Sequence, residues 1–375
     1  MATHARFSAG TLCLLLLLLP SAVSWSANVN ASLELLTHGY LDSGFKLKSF
    51  GQMDLAVDGG YKFGGRIGFA LRDTSFEDAA IESIAFDSVT VGIRELFHLP
   101  LDVSFFIGAA DVLCGGDAFS VVFGTEPIGT DYRGLMYFPD MLPLSVYKGG
   151  IHAIRGTGVK VDFTPKRETM LFSLYGYEDT ATAFGGALGY FSGDFRFLGS
   201  FGPFAVEGFA GATHAPSSPL GYYRGGALVR TSYKNLEVLA QAGIPKYDPF
   251  SSPSFGIELF YLLFEPSLHL GLFSIVPTFF WHPGAYLQAD TPDQRGAFDV
   301  NLNMFFGDLV KTSFRAGLEG NFTIQSSTGV FEVNAAPYVG FTTPGVLWTL
   351  RLNAKVWPFV LADMFEGFIG LRAEL

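Results

Sequence analysis

A period of two that recurs almost to the last residue constrains this chain more than any other feature. Residues 346–357 read VLWTLRLNAKVW, with apolar Val346, Trp348, Leu350, Leu352, Ala354 and Val356 on one parity and Thr349, Arg351, Asn353 and Lys355 on the other. Such spacing predicts a β-strand with two unlike faces. The same alternation returns at 101–112, 236–244, 298–306 and 312–324, and in the stretch around Lys46 to Asp58. Segments of this length cross about 30 Å of hydrocarbon when tilted.

The connections carry a second pattern. Short turns are expected at 342–345, 307–311, 265–267 and 234–235, alternating with longer connections at 325–330, 282–297, 245–253 and 213–224. A soluble sandwich has no reason to sort its loops by parity. A barrel inserted from one side of a membrane does, with short turns at one rim and longer loops at the other.

The N-terminus is read as an export signal and excluded from the fold. Arg6 precedes the apolar run 11–19, Pro20 breaks it, and the small residues of SAVSWSA follow. Cleavage is expected after Ser24 or Ser26, so that residues 1–26 form the signal and 27–375 a single domain. Cys13 would leave with the signal. Cys114 then has no intramolecular disulfide partner and is read as a small apolar filler. After residue 20 there is no run of 18 apolar residues, although charged residues make up 16% of the chain and aromatics 15%. An exported apolar chain without a spanning helix has one membrane solution, a closed barrel in which every backbone group is paired. The net charge of −11 argues against nucleic acid as a partner. About seventeen candidate strands follow residue 45. Bacterial single-chain barrels are even-numbered, so the expected fold is an all-β, closed antiparallel transmembrane barrel of sixteen strands, with eighteen as the near alternative.

The last strand, FEGFIGLRAEL, places Phe365, Ile369, Leu371, Ala373 and Leu375 on one face. Its end, Gly370 to Leu375, resembles the C-terminal signal of outer-membrane proteins, with Leu in place of the usual final Phe and Phe368 at a polar position. Signal, loop parity and terminal strand together resemble a porin-like bacterial outer-membrane β-barrel, at the level of architecture and without a subfamily. That resemblance implies a bacterial outer-membrane location, contact with its lipid, and delivery by the barrel assembly machinery. It also implies small solutes as cargo, and it leaves the oligomeric state open.

The polar parity should face the lumen, because a charge on the lipid face costs about 2–4 kcal/mol at the midplane. The expected pore-lining residues are Lys46, Lys48, Asp54, Asp299, Arg315, Glu319, Glu332, Arg351 and Lys355. The long insertion 113–150 is expected to fold inward as a constriction, contributing Glu126, Asp131, Arg133 and Asp140. Tyr338, Trp348, Trp357 and Phe359 suit aromatic girdles at the membrane interfaces. The histidines are scattered without metal spacing, and no catalytic constellation, metal site or cofactor motif is read. The expected function is passive diffusion of small hydrophilic solutes, not catalysis. Phe106, Phe260 and Leu239, read as inward, keep two alternatives open: a plugged barrel serving as a surface-exposed binding or structural protein, and a channel for apolar ligands.

Overall fold

The computed structural model describes residues 28–41, 44–58, 62–73, 83–125, 128–130, 132, 150–166, 169–179, 190–216, 218–250, 256–282, 297–309, 311–325, 329–359 and 364–374. The signal segment and the expected constriction residues Glu126, Asp131, Arg133 and Asp140 lie outside the described residues.

Eighteen antiparallel strands are found among the described residues. In chain order they are β1 (Asn28–Leu41), β2 (Phe45–Asp58), β3 (Phe63–Asp73), β4 (Ser83–Ile93), β5 (Leu101–Leu113) and β6 (His152–Lys166). There follow β7 (Met170–Asp179), β8 (Phe191–Phe201), β9 (Phe204–Ala215), β10 (Ser218–Tyr233), β11 (Leu236–Tyr247) and β12 (Tyr261–Leu270). The last six are β13 (Phe273–His282), β14 (Ala297–Asp308), β15 (Phe314–Gln325), β16 (Phe331–Thr343), β17 (Val346–Trp357) and β18 (Phe365–Glu374). Each strand pairs with its sequence neighbours, and β1 closes the ring on β18 from Ser32 opposite Glu374 to Tyr40 opposite Glu366. Closure leaves no sheet edge, which is what a wall in lipid requires.

The count corrects the expectation of sixteen to the alternative of eighteen. The segments after residue 45 correspond to β2 through β18; the strand passed over is β1. Its alternation is blurred, with Leu36 on the inward parity and Thr37 and Gly39 on the outward one, so period alone does not reveal it. Two boundaries also move. Residues 265–267 lie inside β12, and the turn falls at 271–272. Most of 213–224 is strand, because β9 runs to Ala215 and β10 begins at Ser218.

The two faces are sorted as the alternation requires. On β14, Asp299, Asn301 and Asn303 are buried inward, while Leu302 and Phe306 are exposed outward. On β17, Leu350, Leu352 and Val356 face out and Arg351 faces in. This outward face is the apolar belt of a transmembrane barrel. Tyr338 corrects its girdle assignment: it points inward, its ring lies over Gly317, where a Cβ would approach to 2.6 Å, and its hydroxyl donates to Asn303 Oδ1 at 2.9 Å.

Candidate functional site

What distinguishes the interior is the chain that leaves β5. Cys114 is fully buried, and its backbone N–H donates to Glu207 Oε1 of β9 at 2.6 Å while its carbonyl accepts from Gln241 Nε2 of β11 at 2.6 Å. Gly116 turns the chain with φ +83°, and a Cβ there would lie 2.3 Å from the Ile128 carbonyl oxygen. Only glycine combines that backbone with that approach. A short helix, α1 (Asp117–Phe123), follows and buries Phe119 completely.

The chain then moves around the wall. Thr130 Oγ1 donates to Glu265 Oε2 of β12 at 2.5 Å, and Thr278 Oγ1 donates to the same oxygen at 2.7 Å. The Tyr132 hydroxyl donates to Asp299 of β14 and lies 3.3 Å from Asn321 Oδ1 of β15. Strands β5 and β14 are nine apart in a ring of eighteen. Within eighteen residues the chain therefore passes from one side of the barrel to the opposite side. Beneath it lies an apolar floor that includes Phe106, Ile154, Leu198, Phe209, Leu239, Tyr261 and Phe280. Burying each such large side chain is worth about 1.5–3 kcal/mol, so the crossing segment is held by apolar packing as well as by its hydrogen bonds.

The wall beneath the segment holds its charges in ion pairs, although Arg196 Nε and Nη2 and Glu207 Oε2 are buried without a hydrogen bond among the described residues. Arg196 meets Glu207 at 2.8 Å, Lys160 meets Asp111 at 2.9 Å and Asp162 at 3.1 Å, and the Tyr175 hydroxyl donates to Asp111 at 2.9 Å. Arg224 binds both oxygens of Asp194, at 2.7 and 2.5 Å. Buried ions are tolerated when paired and hydrogen-bonded in this way.

The residues expected to line the lumen fall into separate groups. Arg351 reaches over Ala336 to pair with Glu319 and also donates to Asn353 Oδ1 at 2.6 Å. Lys355 lies 4.0 Å from Glu332. Asp54 pairs with Arg66 at 3.0 Å. Lys48 stands 5.1 Å above the Tyr40 ring, Lys46 is the register partner of Tyr40, and the Arg315 guanidinium stands 4.4 Å above the Phe305 ring. Asp299 is inward but wholly covered, held by Tyr132 and Thr323. Phe106 and Leu239 belong to the apolar floor, whereas Phe260 precedes β12 and is only half-buried. Sequence reasoning placed Tyr132 in the inward insertion but missed its partner Asp299 as a covered group, and it missed Glu207, Glu265 and the Arg196 and Arg224 groups. Glu207 and Asp194 did stand on polar parities of strand-like stretches; their partners, several strands away, had no local signal.

Burial first, and then the Glu207 carboxylate, push the Cys114 thiol far above its ordinary range. A protonated, buried thiol is a poor nucleophile. The folded barrel should therefore leave Cys114 unlabelled by a maleimide at neutral pH, with full labelling after denaturation; rapid labelling of the folded form would contradict this placement.

No family model and no curated protein sequence matches the chain. Solved structures do match. A double mutant of the Rhodopseudomonas blastica porin aligns over 93% of this chain and 100% of its own, at 9% identity and a TM-score of 0.50. A fivefold mutant of that porin aligns over the same shares at 10% identity and a TM-score of 0.49. The first of these likenesses concerns the fold: this chain is a porin-like closed β-barrel.

Proposed function

We propose that this barrel is a channel of a bacterial outer membrane, through which small hydrophilic solutes diffuse passively past a constriction formed by the inserted segment 113–150. The observation that carries the reading is the passage of the chain from β5 to Tyr132 against β14, on the opposite wall. A ring of eighteen strands is wide enough for an aqueous lumen, and a segment laid across it narrows that lumen without sealing it by covalent chain. Catalysis has no part in this reading. Selectivity would come from size and from the field of the inward charges, among them Arg351, Arg315, Lys46, Lys48 and Lys355. Lipid surrounds the outward belt, and the barrel assembly machinery would insert the chain.

A second reading has its own support. The apolar floor under the crossing segment is extensive, as in a plugged barrel whose loops do the binding. Planar-bilayer recording of the refolded mature chain separates the two. Stable conductance steps that scale with salt are expected for the channel; silence from a barrel shown to be folded by heat-modifiable migration would favour the plug. In a conducting barrel, Arg351→Glu should move the reversal potential in a salt gradient toward cation preference, because it removes a cation and sets a second carboxylate against Glu319. An unmoved potential would place Arg351 away from the ion path.

A further inference from the structure

One cavity of the inner wall has no role in the channel reading. Near the short-turn rim, β1 through β6 border about 400 Å³ of space. Its origin lies in the register. Gly64 of β3 stands opposite Gly92 of β4, and Gly92 opposite Ser104 of β5. Three adjacent inward positions thus carry two hydrogen atoms and one hydroxymethyl group, and the missing side chains leave the room.

Charges of both signs frame this floor: the guanidiniums that line it come from β3 and the end of β4, and the carboxylates that line it from β5 and β6, with Asp54 beside Arg66 and Lys160 beside Asp162. Arg66 lies two residues beyond Gly64 on β3, so on the same face, and bonds Asp54 at 3.0 Å while keeping 52% of its side chain exposed. Arg94, after the end of β4, lays its guanidinium over Gly64, where a Cβ would sit 3.0 Å from Nη2. On the other side, Asp102 of β5 and Asp162 of β6 stand opposite each other. Asp102 accepts the Glu95 N–H at 2.8 Å; Asp162 accepts Lys160 Nζ at 3.1 Å and Ser173 Oγ at 2.5 Å. A carboxylate offers about four acceptor sites, so both retain capacity for a further donor. Strands β3 and β5 are two spacings apart, roughly 10 Å, which leaves a small molecule room to touch both sides.

We propose that this cavity is a subsite for small zwitterionic solutes of the α-amino acid class. The solute carboxylate lies toward Arg66 and Arg94, and its ammonium toward Asp102 and Asp162. A simple anion would meet the two aspartates, and a simple cation the two arginines; a molecule carrying both charges satisfies both sides at once. The inference rests on the channel reading for the route by which the solute arrives, but binding itself does not depend on conduction.

The test is calorimetric titration of the refolded mature barrel in detergent with L-glutamine, and separately with acetate and with methylammonium. Saturable binding of glutamine is expected, with acetate and methylammonium each at least about tenfold weaker, since each forfeits one charge-assisted pair. Arg66→Gln and Asp102→Asn should each weaken glutamine by about tenfold, and Gly92→Leu, which fills the floor, should abolish its binding. Heat-modifiable migration checks that each variant is folded; if Gly92→Leu does not fold, Arg94→Gln at the rim serves in its place and should weaken glutamine. Acetate binding as tightly as glutamine, or no saturable glutamine binding, overturns the proposal. A barrel that conducts without binding glutamine refutes the subsite and leaves the channel, whereas a silent barrel that binds it refutes the channel and leaves the subsite.

Discussion

Replacing residues 117–149 with a two-residue Gly-Ser link should raise the single-channel conductance of the barrel at least about twofold, because an eighteen-strand ring freed of its inward segment is an open aqueous channel. The ends of the segment are already together. Ile151 N donates to the Leu113 carbonyl at 2.9 Å, and a Cβ on Gly150 would lie 3.2 Å from Gly115 N. A short link therefore closes the gap without moving β5 or β6. The same change uncovers the apolar floor around Phe106, Phe209 and Phe280, so the shortened barrel should also unfold at lower denaturant. Should it fail to give a heat-modifiable band, Tyr132→Ala is the milder variant: it removes the ring that reaches Asp299 and should give a smaller increase. A folded shortened barrel with unchanged conductance would mean that the crossing segment does not limit the ion path.

How much of this was readable from the chain depends on the range of the contact that decides each feature. The two faces of β14 and β17 were readable because lipid imposes one of them at every second residue, and that constraint is local. β1 was not, since Leu36 stands on its inward parity and Thr37 and Gly39 on its outward one, so its two faces are not locally sorted. Glu265 shows a different failure. With Pro266 beside it, the stretch reads as a turn, yet it lies in mid-strand. The ladder between β12 and β13 is interrupted between the pairs Phe264–Phe279 and Leu268–Ile275, the interval that holds Pro266 and Pro277. Two prolines, neither able to donate a backbone hydrogen bond, share one defect, and Thr278 spans it through the Glu265 carboxylate. That the described residues of the insertion, from Cys114 to Tyr132, would turn inward was suggested by the insertion's length. That they would meet β9, β11, β12 and β14 in succession was not, because each of those contacts joins residues about a hundred or more apart in sequence.

Arg224→Ala should destabilise the barrel by about 3–5 kcal/mol, the cost of leaving a buried carboxylate without its partner. The two side chains are 1% and 0% exposed. Arg224 donates to both Asp194 oxygens, to Thr213 Oγ1 at 2.5 Å and to the Tyr177 hydroxyl at 3.1 Å, and that hydroxyl donates in turn to Asp194 at 2.8 Å. One guanidinium thus ties β7, β8, β9 and β10 together. The backbone is built around the pair: Gly211 lies opposite Asp194, and a Cβ there would come within 1.9 Å of Asp194 Oδ1. Three variants measured by urea unfolding in detergent micelles apportion the effect. Arg224→Ala strands the carboxylate and should show the full loss. Gly211→Ala displaces it and should show a smaller one. Arg224→Leu combined with Asp194→Leu removes both charges together and should recover most of what Arg224→Ala loses, because an ion pair replaced by apolar groups of similar volume is close to neutral. If the double variant is as unstable as Arg224→Ala, the pair contributes through shape and hydrogen bonding and not through mutual neutralisation. If Arg224→Ala costs less than about 1 kcal/mol, water from the lumen must reach Asp194 and solvate it as an exposed ion would be solvated.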